Sequence, residues 1–172
     1  MRILRAVRQA AAFGLQIDPQ TRAWMREAAP LLPEVSPERR RDELLRILGG
    51  PQPATCLRAL DILGALPVLL PELPPLKGLA QSPPHVYDTW HHTLQTVQHL
   101  ETVITFLGTL PYDPEQAGSL MMGLAVLRLG RFREQIHAHL QAELIPGREA
   151  RALLFLAALL HDAGKLATRT VE

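Results

Sequence analysis

The chain has little of what would place a protein outside the cell or in a membrane. Cys56 is the one cysteine in 172 residues, so no disulfide can close within the chain and a disulfide-stapled scaffold is excluded. Aromatic residues make up 5% of the sequence, which leaves the core to aliphatic side chains. No charged segment followed by a long apolar run opens the chain. The longest apolar stretch, Ala152 to Leu160, is nine residues, about half of the ~20 that a bilayer-spanning helix requires. A cytoplasmic protein with no membrane contact is expected. Also missing are a P-loop, a Gly-rich dinucleotide turn, a Cys pair for zinc and any Asp-x-Asp pair of the kind that holds two Mg²⁺ ions for nucleotidyl transfer. No residue of the chain is therefore assigned a catalytic role.

What is present is a globular composition with a skewed basic side. Hydrophobic residues are 47% of the chain and charged residues 20%, enough for a real core and unlike a disordered segment. Net charge is only +1, and of 18 basic residues all but Lys77 and Lys165 are arginine. Arginines 2, 5, 8, 22, 26, 39, 40, 41, 46 and 58 crowd the first third, opposed there by Asp18, Glu27, Glu34, Glu38, Asp42 and Glu43. A GC-rich gene would favour Arg over Lys, but it does not explain the clustering. Guanidinium forks match phosphates and base edges better than ammonium groups do.

Apolar spacing is helical throughout, and no run alternates apolar and polar residues as a half-buried strand would. An all-α fold without a sheet is expected. Ile3, Leu4, Val7 and Ala11 share one helical face and Arg2, Arg5 and Arg8 another, with Gly14 placed to stop that helix. Asp18-Pro19 and Ser36-Pro37 each combine an N-cap with a first-turn proline, and Gly49-Gly50 ends the second of these helices. A fourth helix spans about Pro53 to Leu63. Prolines 67, 71, 74, 75, 83 and 84 exceed what helix interiors tolerate, so 71–84 reads as a linker between units 1–70 and 85–172. Asp88 is placed to cap a long helix over Leu94, Val97, Leu100, Val103, Ile104 and Leu107. Gly108 to Pro114 reads as a turn, Ser119 to Leu129 and Arg131 to Leu144 as helices, and Arg148 to Ala163 as the most buried helix.

The sharpest chemical signal is His161-Asp162, with His91 and His92 near the start of another helix. An imidazole, an adjacent carboxylate and a second imidazole from a neighbouring helix can bind one divalent ion. The plainer alternative is a histidine that satisfies carbonyls at a helix end. His137 and His139, two residues apart, face different sides of a helix and cannot easily share an ion. His85 and His99 carry still less.

The stretch AALLHDAGKLATRT, Ala157 to Thr170, resembles the helix and turn of the HD phosphohydrolase superfamily in the version attached to bacterial tRNA nucleotidyltransferases. HVYDTWHHTL, His85 to Leu94, is similar to that family's first ligand helix. The resemblance implies His92, His161 and Asp162 as ligands to a divalent metal, Mg²⁺ or a transition metal, with Lys165 as a phosphate contact. It also implies a fourth ligand, an Asp well downstream that falls beyond Glu172.

RILRAVRQAAAFGLQID, Arg2 to Asp18, and SPERRRDELLRIL, Ser36 to Leu48, resemble the neck of class II CCA-adding tRNA nucleotidyltransferases and bacterial poly(A) polymerases. These motifs follow the family's order over nearly the whole chain, and only the insert at about 109–146 matches poorly. In that family a Glu-Asp-x-x-Arg motif reads the incoming nucleotide. Arg2 matches its Arg, while the acidic pair would lie before Met1, and Gln9 stands where the family usually has Phe. The resemblance places Arg5 and Arg8 near nucleotide as well, and Arg39, Arg40, Arg41 and Arg46 on RNA. It thus implies a helical neck and body bundle followed by the start of an HD-type domain, with the polymerising head and its Mg²⁺ outside this chain. The implied partners are tRNA or another RNA 3′ end, with ATP or CTP in the whole enzyme and no DNA. Two other readings stay open: a metal-dependent phosphohydrolase acting on phosphoester ends, and an inactive product of a truncated gene.

Overall fold

The structure, a computed structural model, describes residues 1–79, 88–108 and 120–168. Residues 80–87, which hold the end of the expected linker and His85, and the Gly108–Pro114 turn from residue 109 on lie outside the described residues, as do 115–119 and 169–172.

The N-terminal half forms where the caps predict. Helix α1 (Arg2–Phe13) ends at Gly14, whose left-handed φ of 63° lets its N–H reach Ala10 O. Helix α2 (Pro19–Ala28) starts with the Asp18 carboxylate accepting from Thr21 N at 3.0 Å, and runs into a 3₁₀ turn over Ala29–Glu34. Helix α3 (Pro37–Gly49) follows. Ser36, expected to cap it, makes no side-chain cap bond; the fixed φ of Pro37 and the acidic Glu38 in the first turn mark this start instead. Helix α4 (Pro53–Ile62) and the short α5 (Leu66–Leu69) complete this half, with a 3₁₀ turn at Pro74–Leu76.

Helix α6 (Thr89–Gly108) is capped as expected by Asp88, which accepts from His91 N at 2.7 Å. The same carboxylate accepts from Gly78 N at 2.9 Å, Thr89 N donates to Leu79 O at 2.9 Å, and Lys77 lies 5.7 Å over the Trp90 ring while pairing with Asp61 at 2.7 Å. Residues 77–79 are thereby clamped to the first turn of α6.

Helices α7 (Leu120–Gly130) and α8 (Arg133–Gln141) are followed by a feature that the hydropathy pattern does not announce. Instead of α8 continuing to Leu144, Glu143–Ile145 (β1) pairs antiparallel with Arg148–Glu149 (β2). The expectation of no sheet is corrected by this one hairpin. Its cause is local: Pro146 cannot continue a helix, and Gly147 takes φ 73° at the turn. Strands of three and two residues, with β1 wholly exposed, are too short to show alternation.

Helix α9 (Ala150–Leu160) and the short α10 (Lys165–Thr168) close the described chain. Although α9 beyond Arg151 is apolar all round, its burial is one-sided: Ala152, Phe155 and Leu159 are fully or nearly fully covered, whereas Leu154 is 41% exposed. The core is continuous. Leu4 of α1, Leu48 of α3, Leu57 and Leu60 of α4, Val97 of α6 and Phe155 of α9 belong to one buried cluster, and Leu73 and Leu76 join it from the proline-rich segment. Helix α9 lies between α3 and α6 and packs most extensively on α3.

Candidate functional site

Two groups of chemically active side chains stand out. The first forms where α1 meets α3. Met1, Arg2, Arg5, Arg39, Asp42, Glu43 and Arg46 line one cleft of about 480 Å³. Arg2 and Arg5 come from the polar face of α1, three residues apart and so neighbours on the helix surface. Arg39 and Arg46 come from α3, seven residues apart and thus on the same side. Four guanidinium groups oppose two carboxylates, so the cleft is electropositive.

The remaining arginines of the sequence reading are placed otherwise. Arg8 does not line this cleft; its Nε donates to Glu43 Oε1 at 2.6 Å, tying α1 to α3. Arg41 makes an exposed bidentate contact to Asp42 Oδ1 at 3.0 and 2.8 Å, and Arg40 has its Nε shielded from solvent without a hydrogen-bond partner among the described residues. Glu43 was missed by the sequence reading. It is 2% exposed and also accepts from Arg46 at 3.4 Å. Its signal was available: it stands four residues before the buried Ile47, so an acid falls on the core-facing stripe of α3 and requires a cation beside it.

The second group joins α6 to the end of α9. His92, His161 and Asp162 each offer a ligand atom, all within 4.8 Å of one another. His161 Nε2 is 3.3 Å and His92 Nε2 3.9 Å from Asp162 Oδ2, and the two imidazole rings meet edge-on at 5.5 Å. His161 Nδ1 lies 2.8 Å from Ala158 O. A carbonyl oxygen can only accept, so Nδ1 carries the proton of that bond and Nε2 is the nitrogen turned toward Asp162. Asp162 is 6% exposed, and Lys165 Nζ sits 2.7 Å from its Oδ2. Two imidazole nitrogens and a carboxylate oxygen suit a divalent ion of the transition series. His91, His99, His137 and His139 are not in the group.

Comparison with known proteins places both groups in context. Residues 14–76 match the family described as "Probable RNA and SrmB-binding site of polymerase A". Over 169 residues the chain is 38% identical to a CC-adding tRNA nucleotidyltransferase of Thermus thermophilus, which covers 90% of this chain and 36% of that protein. The chain belongs to the tRNA nucleotidyltransferase and poly(A) polymerase family. Within that family it corresponds to the neck and body region. A multifunctional CCA protein of Xanthomonas campestris is 37% identical over 132 residues, covering 74% of this chain and 30% of its own length. One from Thioalkalivibrio sulfidiphilus is 41% identical over 104 residues, covering 56% and 25%. The chain thus spans about a third or less of the length of these nucleotidyltransferases. No solved structure matches it significantly.

Proposed function

We propose that this region holds and positions an RNA 3′ end, with tRNA as its natural form, for a nucleotidyltransferase head. The observation that carries the reading is the convergence of Arg2, Arg5, Arg39 and Arg46 on a single cleft. Guanidinium groups from two helices, fixed relative to each other by a shared core, can grip successive phosphates and present donors to a base edge. In the whole enzyme the α1 end of the cleft, with Arg2 and Arg5, would face ATP or CTP, and α3 would face the RNA. Residues 1–70 then serve as neck and body, and 85–172 as the beginning of an HD-type domain. The continuous core makes the two one scaffold.

Fluorescence anisotropy with tRNA over a salt series tests this. Binding should weaken steeply with salt, and Arg5→Ala and Arg39→Ala should each reduce the slope of log affinity against log salt by about 1. No affinity for tRNA at low salt overturns the reading.

A second reading rests on the His92, His161 and Asp162 group, which can accept a divalent ion. That ion, when bound, supplies Lewis-acid polarisation of a phosphoryl oxygen. The chain's own contribution is to hold His161 in the correct tautomer through Ala158 O and to keep Lys165 beside the carboxylate, where it can meet a phosphate. This arrangement suits phosphoester-end hydrolysis.

A further inference from the structure

At the opposite end of α6 and α9 from the histidines lies a cavity of about 300 Å³ that neither functional group uses. Its walls are the end of α3 (Gly49, Gly50), the last turns of α6 (Ile104, Leu107), one side of α8 (Arg133, Ile136, His137, Leu140) and the start of α9 (Glu149, Arg151). Arg151 and His161 are ten residues apart, about 15 Å along a helix, so this is a separate site.

The chemistry of the lining is uneven. Ile104, Leu107, Ile136 and Leu140 supply an apolar side. Against it stand Arg133 and Arg151, whose Nε atoms are both shielded from solvent and have no hydrogen-bond partner among the described residues. With those inner nitrogens enclosed, the outer N–H groups of the two guanidinium forks are the donors that an acceptor in the cavity would meet. Arg151 is otherwise held in place: it donates to Gly50 O at 3.3 Å and lies 5.3 Å over the Phe155 ring. Burial draws this guanidinium below its ordinary pKa, with Glu101 and Glu149 acting in the opposite sense as nearby charges. Neither arginine has an ion-pair partner within 4.0 Å among the described residues. Glu149 and His137 also border the cavity, so an anion there would meet two guanidinium groups beside one carboxylate.

We propose that this cavity binds a small organic anion whose phosphate or carboxylate group bridges Arg133 and Arg151 and whose apolar body lies against Ile104, Leu107, Ile136 and Leu140. The volume is at the lower end of small-molecule sites and accommodates a compact ligand. Forked N–H donors favour a planar or tetrahedral oxyanion over a halide, and the apolar wall distinguishes such a ligand from a bare ion.

Isothermal titration of the full chain with phenyl phosphate, benzoate, phenol and inorganic phosphate tests the site. Phenyl phosphate or benzoate should bind at least tenfold more tightly than phenol or inorganic phosphate. Arg133→Gln and Arg151→Gln should each weaken that binding about tenfold or more, the loss of one charge-assisted hydrogen bond. Arg5→Gln, in the basic cleft, should leave it unchanged. Arg151→Gln also removes the contact to Gly50 and can unsettle the fold; Arg133→Gln, at the first turn of α8, keeps the test valid. Equal affinity for inorganic phosphate, retention of binding in both cavity variants, or loss of binding in Arg5→Gln overturns the proposal. Displacement of phenyl phosphate by tRNA that itself depends on Arg133 also overturns it, since the cavity would then be a contact for RNA phosphate.

Discussion

Replacing Glu43 with glutamine isolates the electrostatic link between α1 and α3 without opening a cavity. The wild-type carboxylate is 2% exposed and faces two guanidinium groups of unequal quality. The Arg8 contact is short, at 2.6 Å, and Arg8 is 26% exposed; the Arg46 contact is 3.4 Å, and Arg46 is 62% exposed. A charge-assisted hydrogen bond is worth about 1.5–3 kcal/mol when shielded. Partial exposure of Arg8 screens part of that, and the Arg46 pair adds little. The expected cost of Glu43→Gln is therefore about 1–2 kcal/mol, which for a domain of this size lowers Tm by roughly 2–8 °C. Urea unfolding followed by circular dichroism measures it, and Arg8→Met completes a double-mutant cycle. With Arg8 already replaced, Glu43→Gln should cost little, giving a coupling energy of about 1 kcal/mol or more. If the two substitutions add to within ~0.5 kcal/mol, the ion pair does not join the helices and the cleft is held by apolar packing alone.

Three other perturbations follow from the geometry. Asp88→Ala removes the cap of α6 and the tie to Gly78, and should cost about 1 kcal/mol in thermal unfolding. The His91 N–H, first, and the Gly78 N–H hold the Asp88 carboxyl below its ordinary pKa. Its stabilisation is thus present above the unfolded-state value and lost as pH falls through the folded one, so wild type and variant should converge in acid; a gap that persists there refutes the cap. Burial, first, and then Glu101 push the Cys56 thiol up to about 11. At a pH of about 8 only about one thiol in a thousand is ionised, so iodoacetamide should leave the native protein unlabelled while labelling it promptly in urea. Equal labelling rates would show Cys56 to be accessible. Finally, His161→Ala should lower Mn²⁺ or Co²⁺ affinity by tenfold or more in calorimetric titration, whereas His137→Ala should not; unchanged uptake in the first removes the cluster as a metal site.

How much of this was readable in advance depends on how local the cause is. Gly14, Asp18 and the capping oxygen of Asp88 act through bonds to residues within four positions, and each does what its place in the sequence implies; the tie from Asp88 to Gly78, ten residues back, had no such signal. Ser36 shows the limit of such rules, because Pro37 and Glu38 suffice to start α3 and the hydroxyl is not needed. The hairpin at Pro146-Gly147 was not legible, since strands of two or three exposed residues leave no periodic trace. The pairing of Arg2 and Arg5 with Arg39 and Arg46 was half legible: spacing put each pair on one helix face, but only the fold shows that the faces meet. Arg8 illustrates the converse. Its spacing equals that of its neighbours, yet a buried acid 35 residues away takes it out of the cleft.

The contact between Gly49 and Ala152 shows how the helices that carry the basic cleft and the histidine cluster are joined. A Cβ added at Gly49 would meet Ala152 Cβ at 3.4 Å, the near limit of ordinary contact. The end of α3 thus lies directly on the first turns of α9. From there α9 runs along α6 to deliver His161 and Asp162 to His92. The helix that carries Arg39, Glu43 and Arg46 is therefore packed on the helix that leads to His161 and Asp162, with Leu48 and Phe155 in the same buried core. Close-packed interiors transmit displacement and do not absorb it. The α3 wall of the cleft between α1 and α3 is therefore seated on α9.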